Sequence, residues 1–191
     1  VVTLDGRPWL QTHSGRAWCA DAPADYAYDI REIAYALSNI NRFCGHVGTY
    51  SVAEHSVRVA ELFLEWNDSL SGAPVRAALL HDAAEAFCAD LPAPLKSMPQ
   101  LAGYVDVIRS TELAISEHFG LTSTFVVWRN EIRQADLGML AIERQTLLSD
   151  ALAEHWQWLP DVPQYEAFVP WSPAKAEREF LASWRRYGGE L

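Results

Sequence analysis

Cysteine, methionine and cationic side chains are all scarce in this sequence. The three cysteines, Cys19, Cys44 and Cys88, are odd in number and show no paired two-residue spacing. That excludes a disulfide framework and a closed thiolate zinc site, and the thiols read as free in a reducing compartment. Lys and Arg number 15 against 25 Asp and Glu, a formal net charge of −10. A nucleic-acid polymer as partner is therefore not expected, because it demands a basic footprint. No apolar run approaches the roughly 18–20 residues of a membrane span. The opening VVTLDGRPWLQTHSGRAW lacks the basic-then-apolar order of a secretory signal. A cytoplasmic protein with no membrane partner is expected.

What is present is the profile of a folded domain. Of 191 residues half are hydrophobic, 12% are aromatic and 21% are charged, enough to bury one sizeable core. The pattern predicts an all-α bundle with a small N-terminal β-hairpin. Residues 1–28 read as the hairpin and extension, with Ser14-Gly15 at its turn. Residues 29–149 read as the helical core and 150–191 as a C-terminal wrap and helix, the whole forming a single domain.

Helical periodicity places elements at 29–42, 51–66, about 74–89, 101–119, 122–149 and 174–187. Asp29 with Glu32, and Ser51 with Glu54, have the spacing of capping boxes. Pro74 suits the first turn of the third helix, and Pro92 and Pro94 forbid its continuation. That third helix is apolar nearly all round, which predicts a central position. The stretch 156–173 reads as a surface wrap without regular structure, its tryptophans serving as core or cover.

Several inner faces carry groups that resist burial: His55 on the second helix, His81 and Asp82 in the third, Asp136 on the fifth. An uncompensated buried carboxylate costs several kcal/mol, on the order of a protein's spare stability. Two imidazoles and two carboxylates from three helices form a donor set suited to a divalent transition metal such as Zn, Mn, Co or Fe rather than calcium. Each residue alone is unremarkable; the order His…His-Asp…Asp, with the His-Asp pair inside an apolar helix, is specific.

The segments SVAEHS, ALLHDAAEAFCADLPAPLK and IRQAD resemble the defining stretches of the HD-domain metal-dependent phosphohydrolases over roughly residues 29–148. Within that superfamily the chain is similar to small single-domain 5′-deoxynucleotidases and (deoxy)nucleoside triphosphate hydrolases. The resemblance implies a helical bundle around one or two metal ions, the second an ion such as Mg or Co. It implies His55, His81, Asp82 and Asp136 as metal ligands, and Glu85 and Asp90 as catalytic acidic residues. Arg42 would grip the substrate phosphate, with Lys96 and His46 as further contacts. The implied reaction is hydrolysis of a deoxynucleoside mono- or triphosphate by a metal-activated water, in a homo-oligomer. Another phosphomonoester or a cyclic nucleotide remains open as substrate, as does a nucleotide-sensing module that does not turn over.

Such chemistry suits these side chains. A divalent ion polarises a phosphoryl oxygen and brings the pKa of water towards neutrality. Glu85, at helical spacing from His81 and Asp82, could orient that water. Arg42 offers a forked set of donors that a lysine cannot match. Phe43 and Tyr50 are candidates to flank a nucleobase, and Glu143, on the Asp136 face, is expected to pair with a buried arginine.

Overall fold

The computed structural model describes residues 3–68, 70–165 and 167–191. It is mainly helical, with nine α-helices among the described residues and a three-stranded antiparallel sheet at the N-terminus. Strands β1 (Thr3–Leu4), β2 (Arg7–Gln11) and β3 (Ala17–Cys19) pair in sequence order, with Leu10 opposite Trp18. The β2–β3 turn closes where Thr12 N–H donates to Arg16 O at 2.8 Å and Gly15 N–H to Thr12 O at 2.9 Å. Gly15 takes φ +83 there, the left-handed conformation a side chain resists.

Helix α1 (Ile30–Ser38) ends four residues earlier than its periodicity predicts. Asn39 stops it, with its side-chain amide donating to Tyr35 O at 2.8 Å and its backbone N–H to Ala36 O at 3.0 Å. Helix α2 (Val52–Trp66) agrees with expectation and occupies the centre, packed against α1 and three later helices. Its Val52, Val57, Val59, Leu62 and Phe63 are buried, each such side chain contributing roughly 1.5–3 kcal/mol of burial free energy. The centre was expected at the third helix instead. That helix is short and interrupted, while α2 is the long apolar rod the others surround.

Both expected capping boxes close on one side only. Ser51 Oγ accepts from Glu54 N–H at 3.2 Å and Asp29 Oδ1 from Arg31 N–H at 2.8 Å. The glutamates do not reach back. Glu54 is drawn to Arg58 and Trp171, and Glu32 to Tyr26 and the β2–β3 turn, because each is buried and must find donors there.

The expected third helix, 74–89, is two helices, α3 (Ala73–Leu79) and α4 (Glu85–Cys88), separated by tight turns over residues 80–84. The break has a local cause. In an unbroken helix the carbonyl of Ala78 would accept from the N–H of Asp82. Here it accepts from His81 Nδ1 at 2.9 Å instead. The following backbone bonds shorten, with Ala83 N–H donating to Leu80 O and Glu85 N–H to Asp82 O, each at 3.0 Å. The His-Asp pair is thus on a corner.

Short α5 (Ala93–Lys96) leads into α6 (Ala102–His118). The expected fifth helix divides at Trp128 into α7 (Thr122–Val127) and α8 (Arg129–Leu147). The Trp128 ring meets Phe63 of α2 edge-on, with centroids 5.9 Å apart, and sits at the bend. Gly138 of α8 lets the Trp66 ring lie where a side chain would stand. Helix α9 (Pro173–Arg186) packs across α1 and α2. Residues 157–165 and 167–172 are irregular, as expected, and no helix among the described residues is long and apolar enough to cross a membrane.

Candidate metal centre

The site stands where three elements meet: α2, the corner after α3, and the first half of α8. His55, His81 and Asp82 offer ligand atoms that all lie within 4.8 Å of one another. His55 Nε2 is 3.3 Å from His81 Nε2, and Asp82 Oδ2 is 3.6 Å and 3.2 Å from them. Asp136 Oδ1, from α8, is 3.2 Å from His55 Nε2 and 3.8 Å from His81 Nε2. The His55, His81 and Asp82 atoms could hold a metal ion. Exposure rises from 0% at His55 to 36% at Asp136, so the group is sealed at the back and open at one side.

Both imidazoles are fixed from behind. His55 Nδ1–H donates to Glu143 Oε1 at 2.6 Å, and His81 Nδ1–H donates to Ala78 O. These bonds leave each Nε2 facing the other ring and two carboxylates. The two Nε2 atoms are 3.3 Å apart, and each has a carboxylate oxygen 3.2 Å away, Asp136 for His55 and Asp82 for His81. A cation satisfies both lone pairs and both carboxylates at once.

The electrostatics point the same way. Burial, and then Arg42, push His55 towards its neutral form, yet Glu143 and Asp136 outweigh them and raise its pKa. Burial likewise opposes charge on His81, but Asp82 and Asp136 raise it well above the usual range. Burial would raise Asp82 and Asp136; the imidazoles outweigh it and lower both. Two carboxylates here draw positive charge strongly.

Arg42 lies behind the group. Its Nη2 donates to Glu143 Oε2 at 3.1 Å, and its Nη1 is 3.6 Å from Asp82 Oδ2. Glu143 therefore does pair with a buried arginine, and that arginine is the residue the resemblance assigned to substrate. Tyr50 is a correction: it is fully buried and donates to Glu143 Oε1 at 2.8 Å, so it cannot flank a base. The bridge between Asn41 and Ser51 closes the loop that carries Arg42 and Tyr50, with Arg42 N–H donating to Tyr50 O at 2.9 Å.

Glu85 is buried on α4, where Lys96 Nζ donates to its Oε1 at 2.9 Å. Its Oε2 has no partner among the described residues. Burial first, then the carboxylates of Asp82 and Asp90, push Glu85 up to about 9, against the opposing pull of Lys96. Burial and Asp82 also raise Asp90, which Arg42 opposes. Lys96 is thus engaged by Glu85, and His46 lies exposed on the 42–50 loop without a side-chain hydrogen bond among the described residues.

A cavity of about 650 Å³ opens on the group, with His81 and Asp136 in its lining. Leu80, Ala84, Phe125 and Ile132 form an apolar wall; Arg109, Arg129 and Arg133 supply cationic ones. The arginines escaped the sequence reading, although Arg129, Arg133 and Asp136 follow one another at helical spacing and carried the signal.

Comparison with known proteins places the chain. It is 35% identical to the uncharacterized Escherichia coli protein YfdR over 176 residues, 91% of this chain and 92% of the relative. The chain belongs to the YfdR family. A second relative, an uncharacterized protein of Rhodobacter capsulatus, is 32% identical over 152 residues, 78% of this chain and 77% of its own. No family model matches the chain.

Proposed function

We propose that this chain is an HD-type metal-dependent phosphohydrolase acting on nucleotides, with His55, His81, Asp82 and Asp136 holding a divalent transition metal. One observation carries the reading. Two imidazole nitrogens and two carboxylate oxygens converge from α2, the α3–α4 corner and α8, with both imidazoles fixed from behind. A bound cation of this kind supplies Lewis-acid polarisation of a phosphoryl oxygen and acidifies water.

The chain's own residues do the rest. Glu143 holds His55, and Arg42 braces Glu143 and Asp82, so the donor geometry is set before substrate arrives. Arg42 is therefore a positioning residue in this reading. The second oxygen of Glu85 is buried without a protein partner among the described residues and would hydrogen-bond a water, while Lys96 fixes the first. The apolar cavity wall borders one side of the group.

The test is elemental analysis of the purified chain, followed by a deoxynucleotide panel with Mn, Co, Zn or Fe. Release of phosphate, pyrophosphate or triphosphate identifies the bond cleaved. His81→Ala and Asp82→Ala are expected to lose both tight metal binding and hydrolysis. Full turnover with stoichiometric metal in either variant defeats the reading, and a wild-type chain that binds metal and nucleotide without turnover would be a sensor.

A further inference from the structure

The cavity beside the His/Asp group has cationic walls that the hydrolase reading leaves unused. Arg129 and Arg133 stand one turn apart on α8, and Arg133 stands one turn before Asp136. Arg109 reaches the same space from α6. All three are exposed. Arg129 and Arg133 form no ion pair among the described residues. Arg109 makes a 3.9 Å contact with Asp106 in which the side chains are 73% and 75% exposed, open to water.

Such a row is not a by-product of composition. The chain carries a net charge of −10, and like charges four residues apart destabilise a helix. Arg129 also opens α8, a 19-residue helix whose start has no side-chain cap, and Glu131 of the same turn lies outside the cavity lining. Glu112 of α6 is the acidic lining residue apart from Asp136, and it faces from the opposite wall. The α8 side is the one that attracts anions.

Spacing then selects the ligand. At about 1.5 Å per residue, Arg133 and Arg129 lie about 4.5 Å and about 10 Å along the axis from Asp136. A single phosphate at His81 and Asp136 does not extend along that row; a linear chain of phosphates does. We propose that Arg129 and Arg133, faced by Arg109, form a subsite for the distal phosphates of an organic oligophosphate such as a nucleoside triphosphate. This rests on the hydrolase reading for the place of the reacting phosphorus, with the apolar wall at Phe125 receiving the organic part.

The test is calorimetric titration of the full, metal-stripped chain with inorganic tripolyphosphate and with dATP at fixed ionic strength. Arg129→Gln/Arg133→Gln is expected to weaken both by about tenfold or more, the worth of losing charge-assisted contacts. The reference Arg178→Gln/Arg185→Gln, on α9 outside the cavity lining, is expected to change them by no more than about twofold, since exposed charges are screened. Should the double variant not fold, Arg129→Gln alone carries the same test. Equal affinity in wild type and cavity variant overturns the subsite. So does an equal loss in the α9 reference, or orthophosphate bound as tightly as tripolyphosphate. Because no metal is present, failure here is distinct from failure of metal-dependent hydrolysis.

Discussion

Glu143 Oε1 accepts from His55 Nδ1 at 2.6 Å with both side chains fully buried. The same carboxylate takes Tyr50 O–H and the Arg42 guanidinium, so one residue ties the α2 imidazole to the loop before it. Burial would raise Glu143, but Arg42 and His55 outweigh it and hold the carboxyl below its usual range. Glu143→Gln keeps the shape and removes the charge that sets the His55 ring. Metal affinity is expected to fall by about 10–100-fold, as when such outer hydrogen bonds are lost elsewhere. Equilibrium dialysis with the folded variant measures it; unchanged affinity means Glu143 is only a structural partner of Arg42.

Metal should also stabilise the fold, because the three elements that supply the donors are far apart in sequence. An ion that binds only the folded state, at about 100 times its dissociation constant, contributes about 2.7 kcal/mol. For a chain of this size that is a rise of very roughly 5–10 °C in melting temperature. Thermal melts with and without chelator test this, and Asp82→Ala should abolish the difference. Identical melts in wild type would mean that no ion binds the folded group specifically.

Glu32 provides an acid-sensitive latch between α1 and the sheet. Burial opposes its charge, but Ser14, Thr12, Tyr26 and Arg16 donate to it and lower its pKa from 4.5 to about 2. A depressed folded pKa means the stabilisation is complete above about pH 4.5 and is lost as pH falls towards 2. Its size at neutral pH is on the order of 3 kcal/mol. Glu32→Gln should destabilise the chain at pH 7 and lose most of that penalty near pH 2. A constant difference across this range would show that the charge does not matter.

The parts legible in the sequence were those written in one short window. The period of α2 and the turn at Ser14-Gly15 needed only local spacing, and the four polar residues on apolar faces announced themselves by cost. What escaped depended on contacts between windows. The break at His81 arises because its ring takes the Ala78 carbonyl, a competition that periodicity does not register. Glu32 and Glu54 had capping spacing, yet buried donors from distant segments claimed them. Tyr50 beside a loop suggested ligand contact, but Glu143, 93 residues away, fixes it in the core. The α9 packing that covers α1 and α2 likewise left no local mark.

The C-terminal wrap hangs on the residue next to His55. Glu54 is fully buried, accepts from Arg58 at 2.8 Å on its own helix, and accepts from Trp171 N–H at 2.6 Å across 117 residues. Arg58 in turn lies over the Phe168 ring, 3.9 Å from its centroid, and Phe168 packs against Tyr50. The wrap is thus fastened to the helix that carries His55 and to the tyrosine behind Glu143. Glu54→Ala leaves Arg58 and a backbone N–H without their acceptor, and should cost about 1–3 kcal/mol, as for a buried donor left unsatisfied. Its distinguishing signature is local: limited proteolysis should cut within residues 157–172 at temperatures where the wild type resists. Global unfolding with no prior cleavage there would show that the wrap is held by α9 packing and not by Glu54.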